Sequence, residues 1–142
     1  MRSFSTAMAL AATLQLASSL GCASSPTEPS ARGVPLGQPF RLGVGESASI
    51  QGVSLLLGFE QVLEDSRCPA DALCVWAGDA RMRAWARLQG QARRDLELHT
   101  LQPNPLELDG VRIEVEALEP FPYSNVRIDP RGYVVTLVVT RR

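Results

Sequence analysis

Apolar and polar residues alternate along most of the chain from residue 38 onward. The sharpest alternation is at 80–88, where Ala, Met and Leu side chains take every second position and three arginines and a tryptophan lie between them. A period of two is that of a β-strand with one buried face. Shorter stretches of the same kind predict further strands at 38–44, 46–51, 53–60 and 95–99.

Turn residues separate these stretches and predict how two of the strands are connected. Asp109-Gly110 lies between the alternating segments 106–108 and 111–115. An Asp-Gly pair readily adopts the positive φ values of a type I′ turn, so this region predicts a β-hairpin. Gly58 interrupts its strand and predicts a bulge or a close packing contact. Residues 133–140 are β-branched and apolar on both faces, which favours a central strand.

Seven to eight strands with regularly spaced turns are typical of an all-β domain. We expect an immunoglobulin-like β-sandwich over residues 38–142, and a small β-barrel is the alternative. One domain is what a chain of 142 residues predicts.

The first 37 residues have a different composition from the rest. Arg2 precedes a weakly apolar stretch, Phe4 to Leu20, that is too short and too polar for a spanning helix, so residues 1–21 are interpreted as a signal peptide. Residues 22–37 are rich in Ala, Ser and Pro, which predicts a flexible, extended linker.

Ser19-Leu20-Gly21-Cys22 resembles the lipobox of bacterial lipoproteins. The resemblance implies cleavage before Cys22 and attachment of acyl chains, such as palmitate, to that cysteine. Ala23 in place of Asp implies the outer membrane, at its periplasmic face, within the cell envelope. Ordinary signal-peptidase cleavage is the alternative, and it would give a soluble secreted or periplasmic protein.

The chain has three cysteines. If Cys22 carries lipid, Cys68 and Cys74 remain, and we expect them to form a disulfide in the oxidising envelope. A disulfide between two cysteines so close in sequence would close a single loop. Trp76 is expected to pack over the bridge or to cap the sandwich end, and Asp65, Arg67 and Asp71 to form local ion pairs and turn hydrogen bonds.

The stretch from Asp65 to Ala80 resembles a group of small bacterial envelope proteins with an Asp-Ser-Arg-Cys-Pro and Cys-x-Trp-Ala-Gly signature. The likeness extends over about 38–139 and includes the segment from Leu118 to Tyr123. It implies export and a single domain, and no biochemical activity comes with it. The cysteine loop is therefore open to two interpretations, a structural cap or a binding loop.

Arginine and tryptophan are common at binding hot spots. The outward face of the predicted strand 80–88 is therefore one candidate binding surface, and the cysteine loop is another. The alternative is that these arginines pair with acidic residues across the strands, at Asp95, Glu97, Glu114 or Glu116. The candidate binding residues are Arg81, Arg83, Trp85, Arg87, Arg67 and Trp76.

Charge and residue types argue against several functions. The formal net charge of −1 gives no basis for nucleic-acid binding. His99 is the single histidine, it looks solvated beside Asp95 and Glu97, and no catalytic or zinc-binding motif accompanies it. We expect no cofactor and no enzymatic activity.

The predicted function is therefore a membrane-anchored, non-enzymatic binding module of the cell envelope, with an envelope protein or an anionic glycan as a possible partner. An inhibitor of an envelope or extracellular hydrolase that presents the Cys68–Cys74 loop is the alternative. A metal-handling protein or a hydrolase is a weaker one.

Overall fold

The computed structural model describes residues 31–142, and the predicted signal peptide and Cys22 lie outside the described residues. Nine β-strands and no helix are present in this part of the chain. The strands are β1 (Arg32–Pro35), β2 (Phe40–Gly43), β3 (Ser47–Gln51), β4 (Leu55–Asp65), β5 (Ala80–Leu88), β6 (Arg94–His99), β7 (Leu106–Leu108), β8 (Val111–Glu119) and β9 (Val134–Arg141).

The strands form two separate sheets, as expected for a β-sandwich and not for a closed barrel. One sheet has five strands in the order β1-β3-β4-β5-β6, and the other has four in the order β2-β9-β8-β7. All neighbours are antiparallel except β1 and β3, which are parallel. The all-β prediction is confirmed, with one or two more strands than expected.

The core lies between the two sheets and takes one face of each strand. In β5, Ala80, Met82 and Ala84 are completely buried, which confirms the alternation predicted for this strand. Large side chains such as Phe59 and Leu137 fill the remaining space. Burying this apolar surface is the main stabilising contribution to the fold.

The predicted hairpin and the predicted central strand are both present. β7 and β8 pair across Asp109 and Gly110, whose φ angles are 45° and 81°. β9 lies between β2 and β8, and its valines and leucine are mostly buried. β-branched residues suit this position because they pack well on a pleated surface that is covered by neighbours.

β2 and β3 are short strands, as predicted, but they do not pair with each other. β2 pairs with β9 in one sheet and β3 pairs with β4 in the other. Gly45, with φ of 86°, lies in the short connection between them. The chain therefore crosses from one layer to the other at this point.

The sandwich begins earlier than the predicted boundary at residue 38. Arg32–Pro35 form β1, which lies inside the segment assigned to the linker. Val34 is buried in the core and pairs with Ile50 of β3. Four residues ending in proline carry too little alternation to predict a strand, and the pairing with β3 is what orders them. Among the described residues, no helix is long and apolar enough to cross a membrane.

Candidate functional site

The disulfide between Cys68 and Cys74 lies in the β4–β5 connection, residues 66–79, which we call the cysteine loop. The two ends of the loop pair like strands: Ser66 N donates to Asp79 O at 2.8 Å and Cys68 N to Ala77 O at 2.9 Å. A Cβ on Gly78, where φ is 69°, would lie 1.9 Å from Ser66 O. Only glycine allows this approach, so the loop is held at its base as well as by the bridge.

Arg67 and Asp65 form a largely buried ion pair at the base of the loop. Both side chains are 9% exposed, and Arg67 Nε and Nη2 donate to the two carboxylate oxygens at 2.8 and 2.7 Å. Arg67 also donates to the carbonyls of Leu118 and Pro120. The predicted local pair is therefore present, and the side chain of Arg67, a candidate binding residue, is mostly enclosed by its own chain.

The same carboxylate accepts a hydrogen bond from the Tyr133 hydroxyl at 3.1 Å. Burial raises the pKa of Asp65, but the hydrogen bonds and charge of Arg67 and the Tyr133 hydroxyl outweigh it, so its pKa lies below 3.8. Burial and the negative charge of Asp65 raise the pKa of Tyr133 to about 12. The arrangement joins the end of β4 and the cysteine loop to the residue that precedes β9.

A second connection, the β8–β9 segment 120–133, lies against the cysteine loop. Ala70 N donates to Pro122 O at 2.9 Å, and Asp71 Oδ1 accepts from Ser124 N at 2.9 Å and Ser124 Oγ at 3.1 Å. Asp71 was predicted to bond within its own loop, and it instead bonds across to this segment. The guanidinium of Arg67 lies 5.3 Å from the ring centroid of Phe121.

Large apolar side chains point into solvent from these two connections. Among the described residues eight such side chains are exposed, and six of them belong here. Together they form what we call the apolar rim: Leu73, Val75, Trp76, Phe121, Tyr123 and Val126.

Trp76 was expected to cover the disulfide or the sandwich end, and this is wrong, because its exposed fraction is 81%. Arg67 lies at that end, where it donates to Leu118 O of β8 and its guanidinium lies over the ring of Phe121. A pocket of about 240 Å³ adjoins the rim, with Arg67, Gly78, Leu101 and Phe121 among its lining residues.

The outward face of β5, which we call the arginine–tryptophan face, carries Arg81, Arg83, Trp85 and Arg87. Among them, Arg81 and Trp85 contact other residues of the same sheet. Arg81 pairs with Glu64 at 3.0 Å and Glu97 at 3.3 Å. The indole of Trp85 covers Gly58, and the guanidinium of Arg93 lies 4.7 Å from the indole centroid.

Only part of the predicted cross-strand pairing is found on this face. Glu97 is a partner of Arg81, and Asp95 pairs with Arg93 at 3.6 Å. Glu114 and Glu116 are not partners for β5, because β8 belongs to the other sheet. Arg83 and Arg87 are exposed.

His99 is mostly buried, with an exposed fraction of 14%, so the prediction of a solvated histidine is wrong. Its Nδ1 lies 2.6 Å from Asp79 Oδ2 and its Nε2 lies 3.3 Å from Glu97 Oε1. Asp79 Oδ1 also accepts from Thr100 N and Leu101 N at 3.0 and 2.9 Å. Burial raises the pKa of Asp79, but the His99 contact and the hydrogen bonds from the Thr100 hydroxyl and Leu101 N outweigh it, so its pKa is lowered.

Sequence reasoning missed Asp79 and the exposed part of the β8–β9 segment. Asp79 follows the Trp-Ala-Gly run, and its partners His99 and Thr100 are twenty residues further along. Phe121 and Tyr123 lie in the proline-aromatic segment, whose apolar composition between strands was the available signal. Among residues 31–142, no group of three His, Cys, Asp or Glu side chains could hold a metal ion.

Comparison with known proteins identifies no relative: no family model, no curated protein and no solved structure matches the chain.

Proposed function

We propose that this protein is a non-enzymatic binding module of the bacterial cell envelope, tethered to a membrane through lipid on Cys22, and that it binds through the apolar rim. One observation carries the proposal. Six large apolar side chains are exposed on two connections that are joined by hydrogen bonds, and a disulfide closes one of the two.

Exposing apolar surface in water gives up the free energy that its burial would supply. Exposed groups of this kind, clustered on one part of a surface, mark binding sites in soluble domains. The rim also contains tryptophan and tyrosine, which are enriched at binding hot spots. Because the disulfide and the Asp71–Ser124 bonds already order the loops, little conformational entropy is lost when a partner binds.

The arginine–tryptophan face is the weaker candidate surface. Arg81 already has two carboxylate partners, and Trp85 is covered on one side by Gly58 and approached by Arg93. A partner would have to displace these contacts before it could use the same groups. The rim side chains have exposed fractions from 52% to 105%, and apart from the contact of Phe121 with Arg67 a partner can reach them without displacing such pairs.

An inhibitor of an envelope or extracellular hydrolase is the second candidate function. Leu73 and Val75 flank Cys74 and have exposed fractions of 105% and 86%. Two protruding apolar side chains beside a disulfide form a stiff edge that could enter an enzyme cleft. A purified sample would then inhibit a hydrolase from the same envelope, and Leu73→Ser with Val75→Ser would abolish the inhibition.

Site-specific photo-crosslinking in living cells tests the proposed surface. A crosslinking amino acid replaces Val75 on the rim, and a matched variant carries it at Arg83 on the outer face of β5. We expect a crosslinked product from Val75 and only background from Arg83. A product from Arg83 alone would move the binding surface to the arginine–tryptophan face, and background from both positions would overturn the proposal.

A further inference from the structure

The point where the chain enters the sandwich has a defined position relative to the apolar rim. β1 is parallel to β3, and Arg32 is opposite Ala48, which is opposite Leu57 of β4. β4 is antiparallel to β3 and continues past Leu57 to Asp65, where the cysteine loop begins. β1 therefore runs away from the rim, and the chain comes to Arg32 from the end of the sandwich that carries the rim.

The tether is long enough to cover the distance to the rim. β4 contains two bulges between Leu57 and Asp65, and the partner residues on the regular strand β5 run from Ala86 to Ala80, six residues apart, which places the start of the cysteine loop about 20 Å beyond the level of Arg32. Ten residues separate Cys22 from Arg32, and such a segment reaches at most about 36 Å. A membrane that holds Cys22 therefore lies within reach of the rim when the tether follows the side of the sandwich.

We infer that the occupant of the apolar rim is the interfacial region of the same lipid bilayer that holds the acyl chains on Cys22. This inference rests on the proposed lipidation and deepens the proposed function by naming the partner. The rim and the acyl chains would then form two membrane contacts of one domain, with β1 and its tether between them.

The residue types of the rim suit a bilayer interface. Trp76 and Tyr123 have an apolar ring and one polar group, and such side chains concentrate at the level of the lipid headgroups. Leu73, Val75 and Phe121 are purely apolar and gain from contact with the acyl chains.

The ionisable residues around the rim fit contact at the level of the lipid headgroups. Arg67 is 9% exposed, whereas Asp71, which is hydrogen-bonded to Ser124, and Arg127 are exposed and would stay among the polar headgroups. With no basic cluster in the chain, binding depends on burial of apolar surface and should be insensitive to salt.

With acyl chains on Cys22, a small apolar contact is sufficient to hold the rim at the membrane. A few partly inserted side chains bind a bilayer weakly when they act alone. The acyl chains on Cys22 convert that contact into an intramolecular step, whose effective concentration is set by the tether length. The orientation of the domain is thereby fixed, and the opposite end of the sandwich, with the β5–β6 turn, is directed away from the membrane.

Quenching of tryptophan fluorescence by brominated lipid tests the inference. The full lipidated chain is reconstituted into phosphatidylcholine–phosphatidylglycerol vesicles whose acyl chains carry bromine. The chain has two tryptophans, so Trp85→Phe leaves Trp76 as the reporter on the rim, and Trp76→Phe leaves Trp85 on the outer face of β5. We expect loss of emission and a blue shift for Trp76, unchanged at high salt, and neither change for Trp85.

A third variant checks that the effect depends on the rim as a whole. Leu73→Ser with Val126→Ser removes apolar groups that are already exposed, so the sandwich should unfold at the same temperature as the wild type while quenching of Trp76 falls. Equal emission of Trp76 in brominated and ordinary vesicles would overturn the inference, and so would the absence of lipid from Cys22 in the native protein.

The two experiments distinguish failure of the proposed membrane contact from failure of the proposed binding module. If Trp76 is not quenched and the crosslinker at Val75 captures a protein, the membrane contact is wrong and the binding module stands. If Trp76 is not quenched and Val75 gives only background, both proposals are wrong. Crosslinking of Val75 to lipid together with quenching of Trp76 supports both.

Discussion

The indole of Trp85 lies directly on the backbone of Gly58, so that a Cβ on Gly58 would fall 2.2 Å from Trp85 Cε2. The two residues are opposite each other in the β4–β5 pair. Gly58 thus has a packing role and no need for a positive φ. We expect Gly58→Ala to lower the free energy of unfolding by about 1–3 kcal/mol, because the indole must move away from the sheet.

A chemical denaturation series checks this, with Gly43→Ala as the matched control, since a Cβ at Gly43 would meet only the flexible Glu46 side chain at 3.4 Å. In the background of Trp85→Ala the substitution at Gly58 should cost much less. An equal cost in both backgrounds would show that the strain does not come from the indole.

The Asp65–Arg67 pair supports the base of the cysteine loop. Arg67→Met leaves the carboxylate of Asp65 buried without its partner and frees the carbonyls of Leu118 and Pro120. We expect a loss of about 3–5 kcal/mol in the free energy of unfolding, the usual cost of removing one partner of a buried pair. Arg127→Met, at an exposed position, is the control and should change little. A cost at Arg67 no greater than that of the control would contradict the assigned role.

The ionisation of Tyr133 at alkaline pH reports on the cluster that it forms with Asp65 and Arg67. Burial and the charge of Asp65 raise its pKa from 10.0 in the unfolded chain to about 12 in the folded one. The contribution to stability is therefore complete below pH 10.0 and is lost as the pH rises toward 12. The chain has two tyrosines, so Tyr123→Phe leaves Tyr133 as the only source of tyrosinate absorbance. Ionisation of Tyr133 near pH 10.0 in the folded protein would refute this.

The lowered pKa of Asp79 makes the free energy of unfolding depend on pH in the acid range. Its pKa is below 3.8 in the folded state, so it stabilises the fold fully above pH 3.8, and that contribution is lost as the pH falls through its lower folded value. We expect Asp79→Asn to be less stable near neutral pH and to lose less stability on acidification. Urea midpoints measured across this range for both proteins test the sign, and parallel curves would rule out a contribution from Asp79.

The disulfide should matter more for the rim than for the sandwich. Cys68 and Cys74 close a loop that lies outside the core, and their sequence separation is 6. Replacing both with serine should lower the free energy of unfolding by about 2 kcal/mol, chiefly because the unfolded chain gains freedom. Circular dichroism should still report the β-sandwich, while photo-crosslinking from Val75 should decrease. Undiminished crosslinking from Val75 in the variant with both cysteines replaced by serine would show that the disulfide does not order the rim.

Local patterns predicted the features that depend on near neighbours in the chain. The alternation at 80–88 placed Met82 in the core and Arg83 in solvent, because successive side chains of a strand point to opposite faces. Asp109-Gly110 predicted its hairpin because few residue pairs accept two positive φ angles. Gly58 was correctly singled out for close packing, although the sequence did not say against which residue.

Trp76 and Arg67 show where such reasoning stops. Trp76 was expected to pack over the disulfide or the sandwich end and is 81% exposed, whereas the side chain of Arg67, a candidate binding residue, is only 9% exposed. Arg67 can be buried because Asp65 and two backbone carbonyls satisfy it, and one of those carbonyls, Pro120, is 53 residues away in the chain. The environment of a single side chain depends on partners of this kind, which composition and spacing do not specify.

The sequence by itself determined the β class, the faces of the strands and the tight turns, since each follows from interactions within a few residues. The apolar residues on both faces of β9 also indicated its central place, although its partner strands are distant in the chain. Only the tertiary structure decided that β2 and β3 belong to different sheets, that Arg32–Pro35 join the fold, and that the cysteine loop meets the β8–β9 segment. These contacts join parts of the chain that are distant in sequence. They form only in the folded protein, so no local pattern specifies them.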